Sequence, residues 1–264
     1  LVRLHFGNPT DLKGRKRIGE MTGDMLMRGT SKHSRQEIKD EVDRLKATLS
    51  VNGTANGAWA VIEATRETLP QALRLAAEVL REPSFPPAEL ELARQEDVAA
   101  IEESKTDPRQ LVSTAMGRYL VPRGTDDPQY VMTPDEQLDA TKKVMLADVA
   151  KFHAGFYGAN NAEAAVVGDF HPNEMKTLLT ELFGNWKSAK PYVRLTTPFA
   201  ERPQSVESIE APDKESAYFQ AAQRVQMRDD DPAYPAMILG NFMTGGGFIN
   251  SRLATRIPRV EGLS

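Results

Sequence analysis

The stretch GEMTGDMLMRGT, residues 19–30, decides how the rest of the chain is read. Together with Ile18, residues Met21, Met25 and Leu26 fall at i, i+3, i+7 and i+8, the buried stripe of a helix that begins near Arg15. Glu20 and Asp24 stand four residues apart on another face, the spacing that metal sites on helices use. Two carboxylates so placed repel by a few tenths of a kcal/mol, and could hold a hard cation with help from Glu96 or Glu102. The plainer reading is a solvated or partner-facing side. Gly19 and Gly23 each cost a helix about 1 kcal/mol against alanine. That cost fits either close backbone packing or a relaxed demand on the helix.

Working outward, LVRLHFG at the start alternates Val2, Leu4 and Phe6 against Arg3 and His5, as a half-buried strand does. After the opening helix, Ser34 and Glu37 form a capping box for a second one, with Ile38, Val42 and Leu45 inside. LSVNGTANGAWAVIEATRETL reads as extended structure with turns at Asn52-Gly53 and Asn56-Gly57. Helices follow over LPQALRLAAEVLREP, from Pro87 to about Lys105, and from Asp107 as cap with Pro108 at the first turn. A turn-rich stretch then leads to a helix over TKKVMLADVAKFHAGFYG, a strand over NAEAAVVGDF, and a helix packed through Met175, Leu178, Leu179 and Leu182.

Pro191, Pro198, Pro203 and Pro212 mark a linker over 191–212. Beyond it, SAYFQAAQRVQM reads as a strand and DPAYPAMILGNFM as a helix broken by TGGG. Strand, helix and glycine thus return in the order of the start, a faint internal repeat. The expected organisation is a first α/β unit at 1–190, the linker, and the beginning of a second unit at 213–264. The fold class is α+β, each unit laying helices on one face of a mostly antiparallel sheet.

A chain of 264 residues with 40% hydrophobic and 27% charged residues has ample material for a core. The net charge of -4 gives no basic surplus for nucleic acid or anionic membrane, and no apolar run approaches the ~18–20 residues a bilayer span needs. Absence of cysteine removes thiol catalysis, disulfides and zinc-thiolate sites. The four histidines, His5, His33, His153 and His171, share no helical spacing. TGGGFINSR lacks the lysine of a phosphate loop, and no G-x-S-x-G elbow occurs. With neither an initiator Met nor a closing element, the sequence reads as a piece of a longer chain.

Three stretches together resemble the pitrilysin/insulinase family of zinc metallopeptidases. MLMRGT at 25–30 is similar to the MLFKGT that follows that family's inverted zinc motif, H-x-x-E-H. YGANNAEAAVVGDFHPNEMKTLLTELFGNW at 157–186 resembles its Y-x-P-x-N…VVGDF strand and following helix, and SRLATRIPRVEGLS at 251–264 its SRL…GLSY segment. The resemblance implies a half built from two similar α/β units, closing with a second half as a clamshell around a peptide. It also places the zinc-ligand positions on Glu20 and Asp24 and the general-base position on Gly23. Zinc peptidases need imidazole ligands and a carboxylate base, so this half is expected to hold no metal and to carry no catalytic residue.

In the family, the half without zinc supplies an Arg and a Tyr near GLSY. The Tyr would follow Ser264, and the Arg position falls on Pro258, leaving Arg252, Arg256 and Arg259 as candidate substrate-binding residues or as plain surface cations. The expected partners are a zinc-bearing half, in the same chain or a separate subunit, and an extended peptide bound by strand addition. Neither nucleic acid nor membrane insertion is expected. The alternative is an assembly protein of the same descent with no part in proteolysis. A periplasmic location is favoured over a cytoplasmic one.

Overall fold

The computed structural model describes residues 1–214, 217–247 and 251–260, the side chains of 258–260 excepted. The fold is α+β. The chain divides into two compact units, one of Leu1–Thr197 with Gln204–Ala221 and one of Pro198–Pro203 with Ala222–Ser264.

The first unit is built on four antiparallel strands: β1 (Val2–His5), β2 (Thr48–Thr54), β3 (Gly57–Glu63) and β4 (Ala162–Ala164), in the order β2-β3-β1-β4. The alternation in the sequence sets the faces. Val2, Leu4 and Phe6 are buried with Val51, Ala58 and Ala60, whereas Arg3, Ser50, Asn52 and Val61 are exposed. Register aligns Val2 with Ala60 and Val51, and Leu4 with Ala58 and Gly53, so the inner face is low and small-residued near β2.

The helices are α1 (Lys16–Met25), α2 (Arg35–Arg44), α3 (Leu69–Arg81), α4 (Pro87–Ser104), α5 (Pro108–Leu120), α6 (Pro134–Lys143), α7 (Leu146–Phe156) and α8 (Pro172–Phe183); α1, α2 and α3 contact the sheet, α7 and α8 add side chains to its core, and α4 and α6 pack on α1. The Ser34–Glu37 capping box opens α2 and Asp107 caps α5, as the spacing predicts. The core centres on an aromatic group. Phe6 meets the Phe152 ring edge-on at 6.1 Å and Tyr157 at 4.7 Å, and Phe152 lies 4.5 Å from Phe156.

Several elements depart from the pattern-based expectations. The hairpin loop is Ala55-Asn56, and Asn52-Gly53 lies inside β2 rather than turning. The helix expected over 141–158 is two, broken at Val144-Met145, and α6 occupies the stretch read as turns. It has its own capping box, Thr133 with Glu136, and a proline at its first turn. The strand expected over 161–170 pairs only over Ala162–Ala164, its ladder closing where the Ala165 N–H donates to the Leu1 carbonyl. In the second unit, a helix α9 (Tyr234–Asn241) continues as a π-helical segment over Phe242–Gly246, and a short helix α10 (Arg252–Ala254) leads into another over Thr255–Val260. Residues 217–227 form no strand among the described residues, because alternation makes a strand only where a neighbour supplies the ladder.

Phe152 is 1% exposed at the centre of the aromatic group, so Phe152→Ala is expected to lower stability by about 3–5 kcal/mol, read from urea unfolding followed by far-ultraviolet circular dichroism.

Candidate functional site

The helix α1 carries Glu20, Gly23 and Asp24, and what lies under each explains the composition of the stretch. A Cβ on Gly23 would sit 2.5 Å from the Gly53 Cα and 2.6 Å from its carbonyl oxygen. A Cβ on Gly19 would sit 2.8 Å from both the Ala55 Cα and the Phe152 ring. Both glycines therefore serve close backbone packing of α1 on β2. Gly53 answers from the strand: a Cβ there would meet the Tyr157 hydroxyl at 2.7 Å and the Gly23 Cα at 2.8 Å. The Asn-Gly pair at Asn52-Gly53 thus marks a helix seat and not a turn.

The acids on the outer side are met by cations. Arg17 donates to Glu20 at 3.2 Å and to the Thr141 hydroxyl at 2.8 Å, and it also binds Asp97 of α4. Lys16 lies 4.0 Å from Glu20. Arg28 bridges Glu89 and Glu96 of α4, and Arg35 shares Glu89 at 3.2 Å. Asp24 is the exception: it is exposed, and its carboxylate takes part in no hydrogen bond or ion pair among the described residues. Desolvation first, then the nearby Asp97 charge, push Asp24 up to about 6, with Arg17 and Arg28 pulling the other way and Glu20 adding to the rise.

Asp24 lines a recess of about 450 Å³, with Met27, Ala93, Glu96 and Asp97 around it and Leu49–Asn52 of β2 along one side. Among the described residues, strand β2 is the edge of the sheet and pairs only with β3. The two-residue loop makes Thr54–Gly57 a hydrogen-bonded pair, so the backbone groups of Thr48, Ser50, Asn52 and Thr54 turn toward β3. Those of Leu49 and Val51 turn outward, along the recess. Behind it, the buried Tyr157 hydroxyl has no hydrogen-bond partner among the described residues, and burial, then the Asp24 charge, raise its pKa.

These residues do not fit zinc. Neither ligand position holds an imidazole, the base position holds no side chain and has no room for one, and Glu20 is committed to Arg17. Glu96 lines the recess but is held by Arg28, whereas Glu102 pairs with Lys105 at 3.0 Å. Among the described residues no group of three or more His, Asp or Glu is placed to hold a metal ion.

Arg252 and Arg256 are exposed in the second unit, on α10 and the helical turn after it; the Arg259 side chain lies outside the described residues. The histidines are separate: His5 lies 3.5 Å from Glu163, His33 2.8 Å from Glu78, and His171 beside Arg66. His153 is tucked in the core with Nε2 donating to the Leu80 carbonyl at 2.8 Å, and burial lowers its pKa.

Comparison with known proteins follows the same outline. Residues 16–129 match the family model "Insulinase (Peptidase family M16)", and residues 143–264 match "Peptidase M16 inactive domain". A search of curated proteins gives no match. Among solved structures, a peptidase M16 inactive domain from Pseudomonas fluorescens is similar at TM-score 0.72 and 22% identity, over 98% of this chain and 62% of that one. The periplasmic protease PqqL from Escherichia coli gives 0.61 at 16% identity, over 76% of this chain and 22% of that one. Pitrilysin gives 0.58 at 16% identity, over 75% and 21%. The chain thus spans under two thirds of each, and at these identities the likeness is one of fold. No helix among the described residues is long and apolar enough to cross a membrane.

Two outcomes follow from the seat of α1. Helix propensity alone makes Gly23→Ala stabilising by about 1 kcal/mol, but the overlap with Gly53 reverses the sign, and a net loss of about 1–3 kcal/mol is expected in urea unfolding. Asp24 gives the second. Its carboxyl holds a proton more firmly in the folded chain than at the ordinary 3.8, so its contribution to stability rises as pH falls from above 6 toward 4. Asp24→Asn is therefore expected to melt above wild type at pH 8, with the advantage gone at pH 4.

Proposed function

Because the chain belongs to the insulinase (M16) peptidase family, we propose that it is a non-catalytic domain forming one wall of a clamshell chamber. Its work is to bind extended peptide and to hold a zinc-bearing half in register, that half being either part of the same polypeptide or a separate subunit. Zinc and hydrolysis belong to that other half. The observation that carries this reading is the open outer edge of β2, with Leu49 and Val51 facing a recess beside the displaced zinc-motif positions. An extended peptide gains main-chain hydrogen bonds by adding to such an edge, with alternate side chains directed into flanking pockets.

Arg252, Arg256 and Arg259 remain candidates for contact with substrate from the second unit. A periplasmic setting is favoured; the fold is shared with a periplasmic protease. The competing role, an assembly protein without peptide binding, makes opposite demands on the β2 edge.

The deciding experiment mixes the chain with the zinc-bearing half and follows cleavage of a quenched fluorescent peptide. Cleavage is expected only in the mixture. Equal cleavage by the zinc half alone would leave the assembly role, and cleavage by this chain alone would overturn the inactive reading of α1.

A further inference from the structure

Of the two Asn-Gly pairs, Asn52-Gly53 serves the seat of α1, whereas Asn56-Gly57 has no part in it. Such a pair carries chemistry of its own. With no side chain on the glycine to obstruct it, the glycine nitrogen can reach the preceding asparagine side chain and close a five-membered ring. At Asn52 the fold opposes this. Its Nδ2 donates to the Ser50 hydroxyl at 2.7 Å, which turns the amide back along the strand and away from Gly53. The Asn52 backbone pairs with Trp59 inside the ladder, and Gly53 is pressed against Gly23, so ring closure would have to open the ladder and lift α1. Asn56 differs on each count. It is half-buried in the two-residue loop, outside the β2–β3 ladder, and its Nδ2 has no hydrogen-bond partner among the described residues. Its Oδ1 accepts from the Thr54 hydroxyl at 3.5 Å, a contact that favours attack on the amide carbon by stabilising the charge that develops on the oxygen. Gly57 is the terminal residue of β3, where a ladder opens at less cost than in its interior.

We propose that Asn56 is a self-modification site, converting through a succinimide to aspartate and isoaspartate, and that the seat of α1 shields Asn52 from the same reaction. The Gly57 nitrogen gives its proton to hydroxide and attacks Cγ of Asn56. A C–N bond forms, the Cγ–Nδ2 bond breaks, and Nδ2 leaves as ammonia with a proton from water. Water then opens the ring at either carbonyl. Opening at Cγ leaves an ordinary aspartate. Opening at the backbone carbonyl leaves isoaspartate, whose main chain runs through Cβ and Cγ and is one carbon longer. Either product adds a negative charge to the loop. Isoaspartate also displaces the Asn56 carbonyl, which accepts from the Phe6 N–H at 3.3 Å, so the modified chain ties the hairpin to β1 less firmly.

The test incubates the whole chain at pH 8 and 37 °C, native and in urea, and follows both pairs by peptide mapping and mass spectrometry. Labelling with an isoaspartate methyltransferase marks the isoaspartate product. In urea no fold separates the pairs, and their rates are expected to agree within about threefold. In the native chain Asn56 is expected to convert at least about tenfold faster than Asn52, because a loop and strand end open more readily than a clamped strand interior. Asn56→Gln, which keeps the amide but places it one carbon too far for the ring, is expected to remove nearly all of the native product. Native conversion of Asn52 as fast as Asn56 would overturn the shielding by α1. Conversion of neither in the native chain, with both reacting in urea, would overturn Asn56 as the site.

Discussion

The contact between Gly23 of α1 and Gly53 of β2 is the constraint on which the rest of the first unit depends. Neither residue tolerates a Cβ, the two built positions falling 2.5 and 2.8 Å from the other's Cα. Their approach brings α1 onto the sheet, sets Gly19 against Ala55 and Phe152, and buries Met21 and Met25 against Val144 and Val149. The small inner face of the sheet, Gly53 beside Ala58 and Ala60, is the strand-side half of the same fit. A helix that gives up about 1 kcal/mol of propensity per glycine does so because dense packing between backbone and ring is worth more.

Close seating also fixes which way the charges point. With its inner side against β2, α1 turns Arg17, Glu20 and Asp24 toward α4, and α4 replies with Glu89, Glu96 and Asp97. Arg17 ties three helices together, since it also donates to Thr141 of α6. Arg94 of α4 donates to the carbonyls of Thr141 and Val144 at 2.6 and 2.8 Å, satisfying acceptors that the end of α6 leaves open. Each exposed pair contributes little, but the half-buried ones share partners and act as a lattice. Of the like charges at i, i+4, Glu20 belongs to this lattice, whereas Asp24 stands exposed beside it.

Much of this was legible in the sequence because local physics decided it. The Ser34–Glu37 box, the Asp107–Pro108 start and the Val2–Leu4–Phe6 alternation each rest on a few adjacent residues, and each appears as read. The start of α6 was equally legible, since Thr133, Pro134 and Glu136 form the same signature; the surrounding turn residues obscured it. Asn52-Gly53 failed for another reason: the pair has turn chemistry, but Gly53 answers a helix thirty residues away, which no local rule sees. The strand over 161–170 is shortened to Ala162–Ala164 and none forms over 217–227 among the described residues, because pairing is a property of the neighbour as much as of the segment. Around Glu20 and Asp24, the pairing of Glu20 with Arg17 follows from their spacing of three, whereas the ties of Arg17 to Asp97 and of Arg28 to Glu89 and Glu96 come from α4, sixty or more residues on, which no local rule sees.

The same geometry decides whether the family's zinc motif could be written onto α1 by a few side chains. Restoring H-x-x-E-H would require histidines for Glu20 and Asp24 and a glutamate for Gly23. The first would take Glu20 from Arg17 and leave a half-buried guanidinium with Asp97 alone. The last cannot be made in place at all, because its first carbon would overlap the Gly53 backbone, and backbone does not move aside as a flexible side chain does. Relief would need α1 to lift from β2, and Gly19, packed on Ala55 and Phe152, holds it down one turn away. A glutamate at residue 23 and the present packing of α1 on β2 thus exclude each other. The helix serves as a structural seat on β2, held by Gly19 and Gly23 against Ala55, Phe152 and Gly53.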